Sequence, residues 1–415
     1  MIKAIKVRLI PLKNQEQQLW KSAGTARYIY NWTINKQIEH FEKTGKLNKL
    51  SNNDLRKELT VLKQTEEFKW LYDVSNNVAK QAVKDACLAI DRFHYEAKKN
   101  GYKYKLSSIK KGGELTFRDF ENFPRYKSKK KSKVSFYNDT DKLKVKKDMV
   151  LIEKVGWVKL SENNRIPAEA TYTDPRITYD NKYWYISVGI DIEKPAVELT
   201  KESIGIDLGV NKLAVVSNLD EPIKNINKSK EVKRLKKKLK RTQKRVSKKY
   251  EENKTECKLN KEGKVGENRY KFIKTKNIKN KTEKEIKLIQ RRLKNIRLNH
   301  IHQSTNKIVK TKPSRIVVED LNVTGMMKNR HLSKAIQEQS FHKFITILKY
   351  KCEWFSIEFE KADRFYPSSK TCSCCGAIKK DLRLKDRVFI CPECGITVDR
   401  DKNASINLSR YIKSA

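Results

Sequence analysis

Two Cys-x-x-Cys pairs near the end of the sequence place the tightest constraint on how this chain can fold. Cys372 and Cys375 form the first pair, Cys391 and Cys394 form the second, and a glycine follows each pair. Two pairs at this spacing bring four thiolates into one tetrahedron, which suits a structural Zn²⁺ with Zn–S bonds of about 2.3 Å. We therefore predict a zinc ribbon with one structural Zn²⁺ per chain, in which the additional Cys374 takes no part.

The charge balance indicates the class of partner. The 415 residues include 94 Lys and Arg against 49 Asp and Glu, which gives a formal net charge of +45. Such an excess favours nucleic acid, because each cation placed on a phosphate releases condensed counterions. No apolar run approaches the roughly 18 residues of a membrane span, and Lys3, Lys6 and Arg8 interrupt the apolar N-terminal residues. We expect a cytoplasmic bacterial protein that is nucleoid-associated when bound to DNA and has no membrane partner.

The spacing of apolar residues divides the first half of the chain into two kinds of structure. Ile5, Val7 and Leu9 alternate with polar residues, which predicts a strand. Helical spacing then dominates from about residue 13 to residue 122, and four strand-like stretches follow. The pattern predicts a β-rich domain that is interrupted by a helical block.

Two basic helices are predicted in the second half, over 224–250 and 283–310. Each has one narrow apolar seam and is otherwise rich in Lys and Arg, which is expected of an antiparallel helical hairpin. The connector between them, 251–282, is long and polar.

Three carboxylates end apolar segments that are far apart in the sequence. Asp207 lies in GIDLG, Glu319 ends IVVE, and Asp401 lies in DRDKNA. A single acid at a strand end is usually a solvated terminus or a cap, but three in so cationic a chain favour a shared role. A ribonuclease H-like sheet brings such acids to one edge, where they hold two Mg²⁺ ions about 4 Å apart for phosphodiester hydrolysis.

Several motifs are similar to those of TnpB proteins, in the same order. They are GIDLGVNKLAV, VVEDLNVTGM and PSSKTCSCCG…CPECG…DRDKNASINL. TnpB (OrfB) proteins are RNA-guided nucleases of bacterial insertion sequences, associated with zinc-ribbon transposases, from which type V CRISPR effectors descend. The resemblance covers about residues 200–412 and is weaker at the start. Ser405 (where Ala is common), Cys374 and the long 251–282 connector depart from the family pattern.

The resemblance implies an α+β multidomain fold: a wedge-like β-barrel with an inserted helical recognition lobe, and an RNase H-like (RuvC) α/β nuclease domain with a zinc-ribbon insertion. The expected segments are 1–11 and 123–197 for the wedge barrel, 12–122 for the recognition lobe, 198–365 for RuvC with the basic hairpin 224–310, 366–398 for the zinc ribbon, and 399–415 for the last RuvC motif and helix.

The same resemblance implies the function and its residues. Asp207, Glu319 and Asp401 would be the catalytic acids and Mg²⁺ ligands, and the two Cys-x-x-Cys pairs would be the zinc ligands. A guide RNA from the same element would select a double-stranded DNA target beside a short transposon-adjacent motif. We expect a monomer on one guide RNA.

Basic and amide side chains are the candidates for contact with nucleic acid. A predicted helix presents amides suited to base edges, and the basic hairpin would hold the backbone of the heteroduplex. The predicted set is Asn77, Gln81, Lys84, Arg125, Lys127, Lys237, Arg241, Arg291 and Arg292.

Three other functions remain open. A guide-bound repressor would bind without cutting, although such proteins lose one or more of the acids. A compact type V CRISPR effector would use the same chemistry. His300-Ile301-His302 also fits the His-hydrophobe-His element of single-strand transposases, but that element must lie on a strand, and here a helical period runs through it.

Asp399 and Asp401 compete for the role of the third acid. Helical spacing follows Asp401, so that it lies at a helix start, and residues two apart in a first turn point to different sides. We predict that Asp401 faces the other acids and that Asp399 caps the helix. The resemblance agrees, because the family's last acid lies in Asp-x-Asn-Ala.

Overall fold

A computed structural model describes residues 1–45, 48–109, 116–255, 271–273, 275, 277–383 and 385–412. The chain separates into two units, Met1–Glu193 and Lys194–Ala415. Most of the predicted polar connector lies outside the described residues. No helix in the described ranges is long and apolar enough to cross a lipid bilayer.

An antiparallel sheet of seven strands organises the first unit. Its strands are β1 (Ile2–Ile10), β2 (Val134–Tyr137), β3 (Lys144–Lys146), β4 (Met149–Ile152), β5 (Gly156–Leu160), β6 (Tyr172–Tyr179) and β7 (Trp184–Asp191). The strand order is β2-β6-β7-β1-β5-β4-β3. β1 lies in the middle with Ile5, Val7 and Leu9 buried, which confirms the strand predicted from their alternation.

The described residues of this unit also form four helices. They are α1 (Lys13–Thr44), α2 (Asn52–Leu62), α3 (Asn76–Asn100) and α4 (Leu106–Ile109), with 3₁₀ turns at Glu66–Asp73 and Phe117–Asp119. α1 and α3 are packed against each other through a second cluster of buried side chains that includes Ile34, Phe41, Ile90 and Phe93. The helical spacing predicted for residues 13–122 is therefore present in the described part of that segment, and it forms core.

The sheet is open, whereas a closed wedge-like barrel was predicted from the family resemblance. Its outer strands, β2 and β3, each pair on one side only and are not hydrogen-bonded to one another. Leu19 and Ile29 of α1 and Val83 of α3 belong to the same buried cluster as Val7 and other side chains of the sheet. Because helices fill the apolar face, the strands need not close on one another to bury it.

A mixed sheet of five strands forms the centre of the second unit. Its order is β10-β9-β8-β13-β14, with β13 parallel to β8 and to β14 and β8 antiparallel to β9. Two short two-stranded ladders, β11-β12 and β15-β16, lie apart from it. The strands are β8 (Ser203–Leu208), β9 (Lys212–Val216), β10 (Ile223–Lys224), β11 (Lys254–Thr255), β12 (Lys271–Phe272), β13 (Arg315–Glu319), β14 (Glu358–Ala362), β15 (Val388–Ile390) and β16 (Thr397–Asp399).

The helices of the second unit are α5 (Lys230–Glu251), α6 (Lys284–Val309), α7 (Val323–Met326), α8 (Ser333–Gln339), α9 (Phe341–Phe355) and α10 (Arg400–Ser409), with a π-helical turn at Ile278–Glu283. α5 and α6 form the predicted basic hairpin. Val232, Leu235, Ile289 and Leu293 are buried along its seam. Ion pairs link Glu231 to Arg292 at one end and Arg245 to Glu285 at the other, so the helices are antiparallel.

The backbones of α10 and β8 approach each other closely at Gly205. A Cβ added to Gly205 would lie 2.0 Å from the carbonyl oxygen of Ser405 and 2.4 Å from the backbone nitrogen of Ser409. Both are backbone atoms of a helix, which cannot shift as a flexible side chain could. Ser405 itself is fully buried, and its hydroxyl donates to the carbonyl of Lys402 at 2.7 Å. Only glycine at position 205 allows this packing.

We therefore expect Gly205→Ala to destabilise the second unit by about 3 kcal/mol or more, the upper end of the cost of overpacking a core. Thermal unfolding followed by circular dichroism measures the effect. Gly24→Ala is the matched control, because Gly24 lies inside α1 with no atom within 4 Å of its added Cβ. That change should leave stability unchanged or raise it by about 0.5–1 kcal/mol. Equal unfolding temperatures for Gly205→Ala and the unchanged protein would contradict the packing.

Candidate active site and metal centre

Three acidic side chains come together at one edge of the five-stranded sheet. β8 and β13 are parallel with Ile206 opposite Val318, so Asp207 and Glu319 are the next residues of both strands. Ile206 and Val318 are fully buried, which fixes the register of the two strands. The acid that follows each of them therefore lies near the end of its strand. Asp401, in the first turn of α10, reaches the same place because that helix lies on β8 at Gly205.

Burial and mutual repulsion dominate the electrostatics of these acids. Burial raises the pKa of Asp207 well above its usual value, and the charges of Glu319 and Asp401 raise it further. Burial also raises the pKa of Glu319, which shares a hydrogen bond with Asp207. Two carboxyl groups this close cannot both ionise unless a cation neutralises them. The donor set, carboxylate oxygens with excess negative charge, therefore fits a hard divalent cation.

The three acids are more widely spaced than the ligands of a single small ion. Within the described residues, only a cysteine cluster has its ligand atoms all within 4.8 Å of one another. Asp401 is oriented toward Arg400, with 3.4 Å between its Oδ1 and the Nη2 of that guanidinium. A pair of ions about 3.5–4 Å apart accommodates wider spacing than one ion does.

Two neighbouring acids are held away from the site by cations. Asp399 caps α10, as predicted: its Oδ1 accepts from the backbone nitrogens of Asp401 and Lys402 at 3.0 and 3.1 Å. Its Oδ2 pairs with Lys212 at 3.0 Å. Burial alone would raise the pKa of Asp399, but the hydrogen bonds from Lys212 and the helix backbone lower it. Asp399 therefore has a complete set of partners of its own.

Asp320, next to Glu319, is held in the same manner. It pairs with Lys361 at 3.2 Å and with Arg364 at 2.9 Å. Although burial opposes it, these hydrogen bonds lower the pKa of Asp320. The sequence offers two pairs of nearby acids, and in each pair the structure assigns one member to surface cations and leaves the other beside Asp207.

Lys402 fixes the first turn of α10 and was not predicted from the sequence. Its ammonium donates to the carbonyl oxygens of Ser217 at 2.8 Å and of Leu219 at 3.0 Å, just beyond β9. Arg400 was also not predicted. Their position in the sequence could have indicated both residues. Two cations in the first turn of a helix are repelled by its dipole and require a compensating partner.

Four cysteine thiols form the second cluster. The Sγ atoms of Cys372 and Cys394 are 3.7 Å apart, and those of Cys375 and Cys391 are 3.5 Å apart. All four lie within 4.8 Å of one another, and Cys374 lies outside the cluster, as predicted. Backbone N–H groups point at the sulfurs, and the N–H of Cys394 is the largest cause of a lowered pKa, about 6, at Cys391. Thiolates held in this way are suited to Zn²⁺.

The glycine after each pair has a conformational reason. Gly376 has φ 79° and Gly395 has φ 70°, in the left-handed region that favours glycine. Each glycine reverses the chain after its knuckle, so that the backbone N–H groups face the sulfurs.

Asparagines of α10 attach the helix to the first knuckle. The amide of Asn403 donates to the carbonyl of Thr371 at 2.7 Å and accepts from the N–H of Ser373 at 2.9 Å. Asn407 donates to the carbonyl of Ser368 at 2.8 Å. Asn403 is fully buried. The cysteine cluster and the helix that carries Asp401 are therefore one connected piece.

Comparisons with known proteins agree with these features. Family models match residues 1–46 ("Helix-turn-helix domain"), 185–330 ("Probable transposase", OrfB_IS605) and 341–408 ("Cas12f1-like, TNB domain"). A Streptomyces pristinaespiralis protein named "Putative RNA-guided DNA endonuclease" is 26% identical over 409 residues, covering 98% of this chain and 88% of that protein. InsQ of Escherichia coli K12, with the same description, is 24% identical over 426 residues, covering 98% and 91%.

Over residues 185–330 the chain is similar to the OrfB_IS605 proteins. Its fold is also similar to that of Cas12f1 in a Cas12f1–sgRNA–target DNA complex, with a TM-score of 0.56 and 13% identity over 99% of this chain and 98% of that one. At this identity the likeness shows a shared α+β fold. The described residues matched by the helix-turn-helix model form β1 and the long helix α1.

The predicted nucleic-acid contacts in the first unit have different environments. Asn77 donates through Nδ2 to Glu153 at 3.2 Å, and Gln81 donates through Nε2 to Asp85 at 2.9 Å. Lys84 and Arg125 are exposed. Lys127 is half-buried, with its ammonium 3.7 Å from the centre of the Tyr30 ring, and burial lowers its pKa.

The predicted contacts on the hairpin also differ in their exposure and in their partners. Lys237 and Arg241 are exposed on α5, Arg291 is half-buried on α6, and Arg292 is paired with Glu231 at 2.6 Å. A groove of about 600 Å³ between α5, α6 and α8 is strongly basic. Its cationic lining consists of Lys236, Lys237, Lys240, Lys294, Arg297 and Lys334.

The His-hydrophobe-His element lies on a helix, as predicted. His300 and His302 are both in α6, and Nε2 of His300 bonds the carbonyl of Lys224 at 2.8 Å. A transposase of that class needs the element on a strand, so the described structure does not supply its site.

A cysteine substitution tests the metal centre. We expect Cys391→Ser to reduce bound zinc from about one per chain to a small fraction and to lower the unfolding temperature, because a closed thiolate site contributes folding energy. Elemental analysis by mass spectrometry and thermal unfolding measure the two effects. Cys374→Ser, one residue from a ligand but outside the cluster, should keep both values. Full zinc content in Cys391→Ser would exclude the site.

Proposed function

We propose that this protein is an RNA-guided DNA endonuclease of a transposable element. A guide RNA from the same element would direct it to double-stranded DNA beside a short transposon-adjacent motif, as in effectors that delegate sequence recognition to RNA. The observation that carries the proposal is the meeting of Asp207, Glu319 and Asp401 at one sheet edge in a chain of net charge +45. The names of the relatives support it.

The reaction would be hydrolysis of a phosphodiester bond with the three acids as Mg²⁺ ligands. Two bound divalent ions supply an activated water and a charge that stabilises the leaving oxygen. Asp207 and Glu319 contribute fixed negative charge from adjacent parallel strands. Asp401 contributes from α10, whose first turn is fixed by Lys402 and by the cap of Asp399. Burial keeps these carboxylates out of bulk water, which strengthens their attraction for cations.

The other assignments follow from this proposal. Four thiolates leave no open coordination position, so the bound Zn²⁺ would be structural. We retain residues 198–365 as the RuvC domain with its basic hairpin, 366–398 as the zinc ribbon and 399–415 as the last RuvC motif, with 1–11, 123–197 and 12–122 as wedge and recognition segments. The exposed cations of the hairpin would bind phosphates of the heteroduplex.

A guide-bound repressor that does not cut is the alternative from another class. It needs no acids at the sheet edge, and this chain has all three, partly buried and close together at a cost in free energy. A repressor would gain nothing from that cost in free energy, whereas a nuclease needs the acids, so their presence favours a nuclease. A type V CRISPR effector would use the same residues and chemistry and differs in genetic context.

Paired substitutions test the catalytic acids. We expect Asp207→Ala, Glu319→Ala and Asp401→Ala to retain guide and target binding but to lose cleavage by at least about 1000-fold, the scale of removing one member of a cooperating catalytic set. The measurement is Mg²⁺-dependent cutting of a matched duplex by each purified complex.

Each acid beside the site supplies a matched control for this experiment. Asp320→Ala, next to Glu319, should keep most activity. Asp399→Ala should keep measurable cleavage at low temperature while losing about 0.5–2 kcal/mol of stability with the helix cap. Strong cutting by Asp401→Ala together with folded but inactive Asp399→Ala would reverse the assignment.

Two amides on α3 are candidates to read base edges of the target. The NH₂ group of Gln81 donates to the carboxylate of Asp85, and that of Asn77 donates to Glu153. The amide oxygens of Gln81 and Asn77 therefore remain as acceptors. Arg176 holds Asp85 in place with hydrogen bonds of 2.7 and 3.0 Å. Acceptors oriented in this manner suit the amino groups of adenine or cytosine in the major groove.

We expect Gln81→Leu to weaken binding of the target duplex by about 1 kcal/mol, roughly fivefold in Kd, while guide RNA affinity is unchanged. Equilibrium binding to a cleavage-deficient complex measures this. Gln17→Leu, at an exposed position of α1, is the control and should leave both affinities unchanged. Identical target affinities for the two variants would remove Gln81 from the recognition surface.

A further inference from the structure

Arg400 lies beside Asp401, at the sheet edge where the three acids meet. It is the first residue of α10, between the cap Asp399 and the predicted ligand Asp401. Its side chain is only 15% exposed, and its Nη2 is 3.4 Å from Oδ1 of Asp401. Its charge also acts on Asp207 and Glu319, lowering the pKa of each against the effect of burial. One guanidinium is therefore within electrostatic reach of all three carboxylates.

The position of Arg400 is unfavourable unless the acids compensate it. A cation in the first turn of a helix is repelled by the positive end of the helix dipole. Lys402, the other cation in this turn, is compensated by carbonyl oxygens at the end of β9. For Arg400, the carboxylates at the sheet edge supply the compensating charge. The 3.4 Å contact with Asp401 is longer than a charge-assisted hydrogen bond of 2.7–2.9 Å, so this carboxylate does not hold the guanidinium by a short, strong bond.

We propose that Arg400 is a resident counter-ion of the site, which a divalent cation must displace from the three acids in order to bind there. This inference rests on the proposed function, in which the same acids hold divalent cations. The guanidinium places a positive charge beside the acids, so that the metal-free site can fold with them close together. The same charge repels an incoming cation and lowers the affinity of the site for it.

Binding of Mn²⁺ to the full-length protein, purified without RNA, tests the proposal without any cleavage. Electron paramagnetic resonance measures the concentration of free Mn²⁺ during a titration. We expect Arg400→Gln, which keeps length and hydrogen-bonding capacity but removes the charge, to bind Mn²⁺ at least about tenfold more tightly than the unchanged protein. Arg400→Lys, which keeps the charge, should stay close to the unchanged protein.

A control separates this contact from the loss of one positive charge in general. Arg364 is a half-exposed cation paired with Asp320, beside Glu319 but on the outer side. Arg364→Gln should leave Mn²⁺ affinity within about twofold. Thermal unfolding provides a second readout: in EDTA, Arg400→Gln should unfold at a lower temperature than the unchanged protein, and added Mn²⁺ should raise its unfolding temperature by more.

The outcomes distinguish this inference from the proposed function. Equal or weaker Mn²⁺ binding by Arg400→Gln, with Asp207→Ala binding less than either, would overturn the counter-ion role and leave the metal site standing. Tighter binding by Arg364→Gln to the same extent would also overturn it, because the effect would then be general. If Asp207→Ala binds as much Mn²⁺ as the unchanged protein, the acids hold no cation, and both the metal chemistry of the proposed function and this inference fail.

Discussion

The contact between α10 and β8 at Gly205 determines the geometry of the site. Asp207 follows Gly205 by two residues on the strand, and Asp401 lies one turn before Ser405 on the helix. Backbone atoms of Ser405 and Ser409 face this glycine, so a side chain larger than hydrogen at position 205 would push the helix away from the strand. The separation of the two acids is therefore set by main-chain contact, which is stiffer than side-chain packing.

The cysteine cluster also influences the separation of Asp207 and Asp401, because it is bonded to α10. Asn403 and Asn407 bond backbone groups of the first knuckle, and both are buried. A buried amide that loses its partner costs about 1–3 kcal/mol, so the helix and the knuckle move together. Asn403 follows Asp401 by two residues, which gives the Asp-x-Asn-Ala motif a physical meaning: the acid faces the sheet edge and the asparagine faces the knuckle. A structural metal at the cysteines would hold the third acid in position.

Features specified by local spacing could be predicted from the sequence. The strand at Ile5–Leu9, the hairpin seam through Leu235 and Leu293, the cysteine cluster and the Asp399 cap each depend on residues close in the chain. The closed barrel was wrong because closure depends on what covers the sheet, and here α1 and α3 cover it. Arg292 and Lys127 looked like free cations in the sequence, but their partners, Glu231 and the Tyr30 ring, are distant in the chain. Arg400 was missed because it was one of 94 cations.

The excess of cations explains why burial decides which acids remain available. In a chain of net charge +45, an exposed carboxylate meets a Lys or Arg, as Asp320 and Asp399 do. An acid paired in this way has lost most of its attraction for a metal ion, because the neighbouring ammonium or guanidinium repels it. Asp207 and Glu319 differ, because burial is the largest influence on both and raises the pKa of each. Arg400, built into the helix start 3.4 Å from Asp401, is a cation placed to share them, and we infer that its displacement is the step on which cation binding at the acids depends.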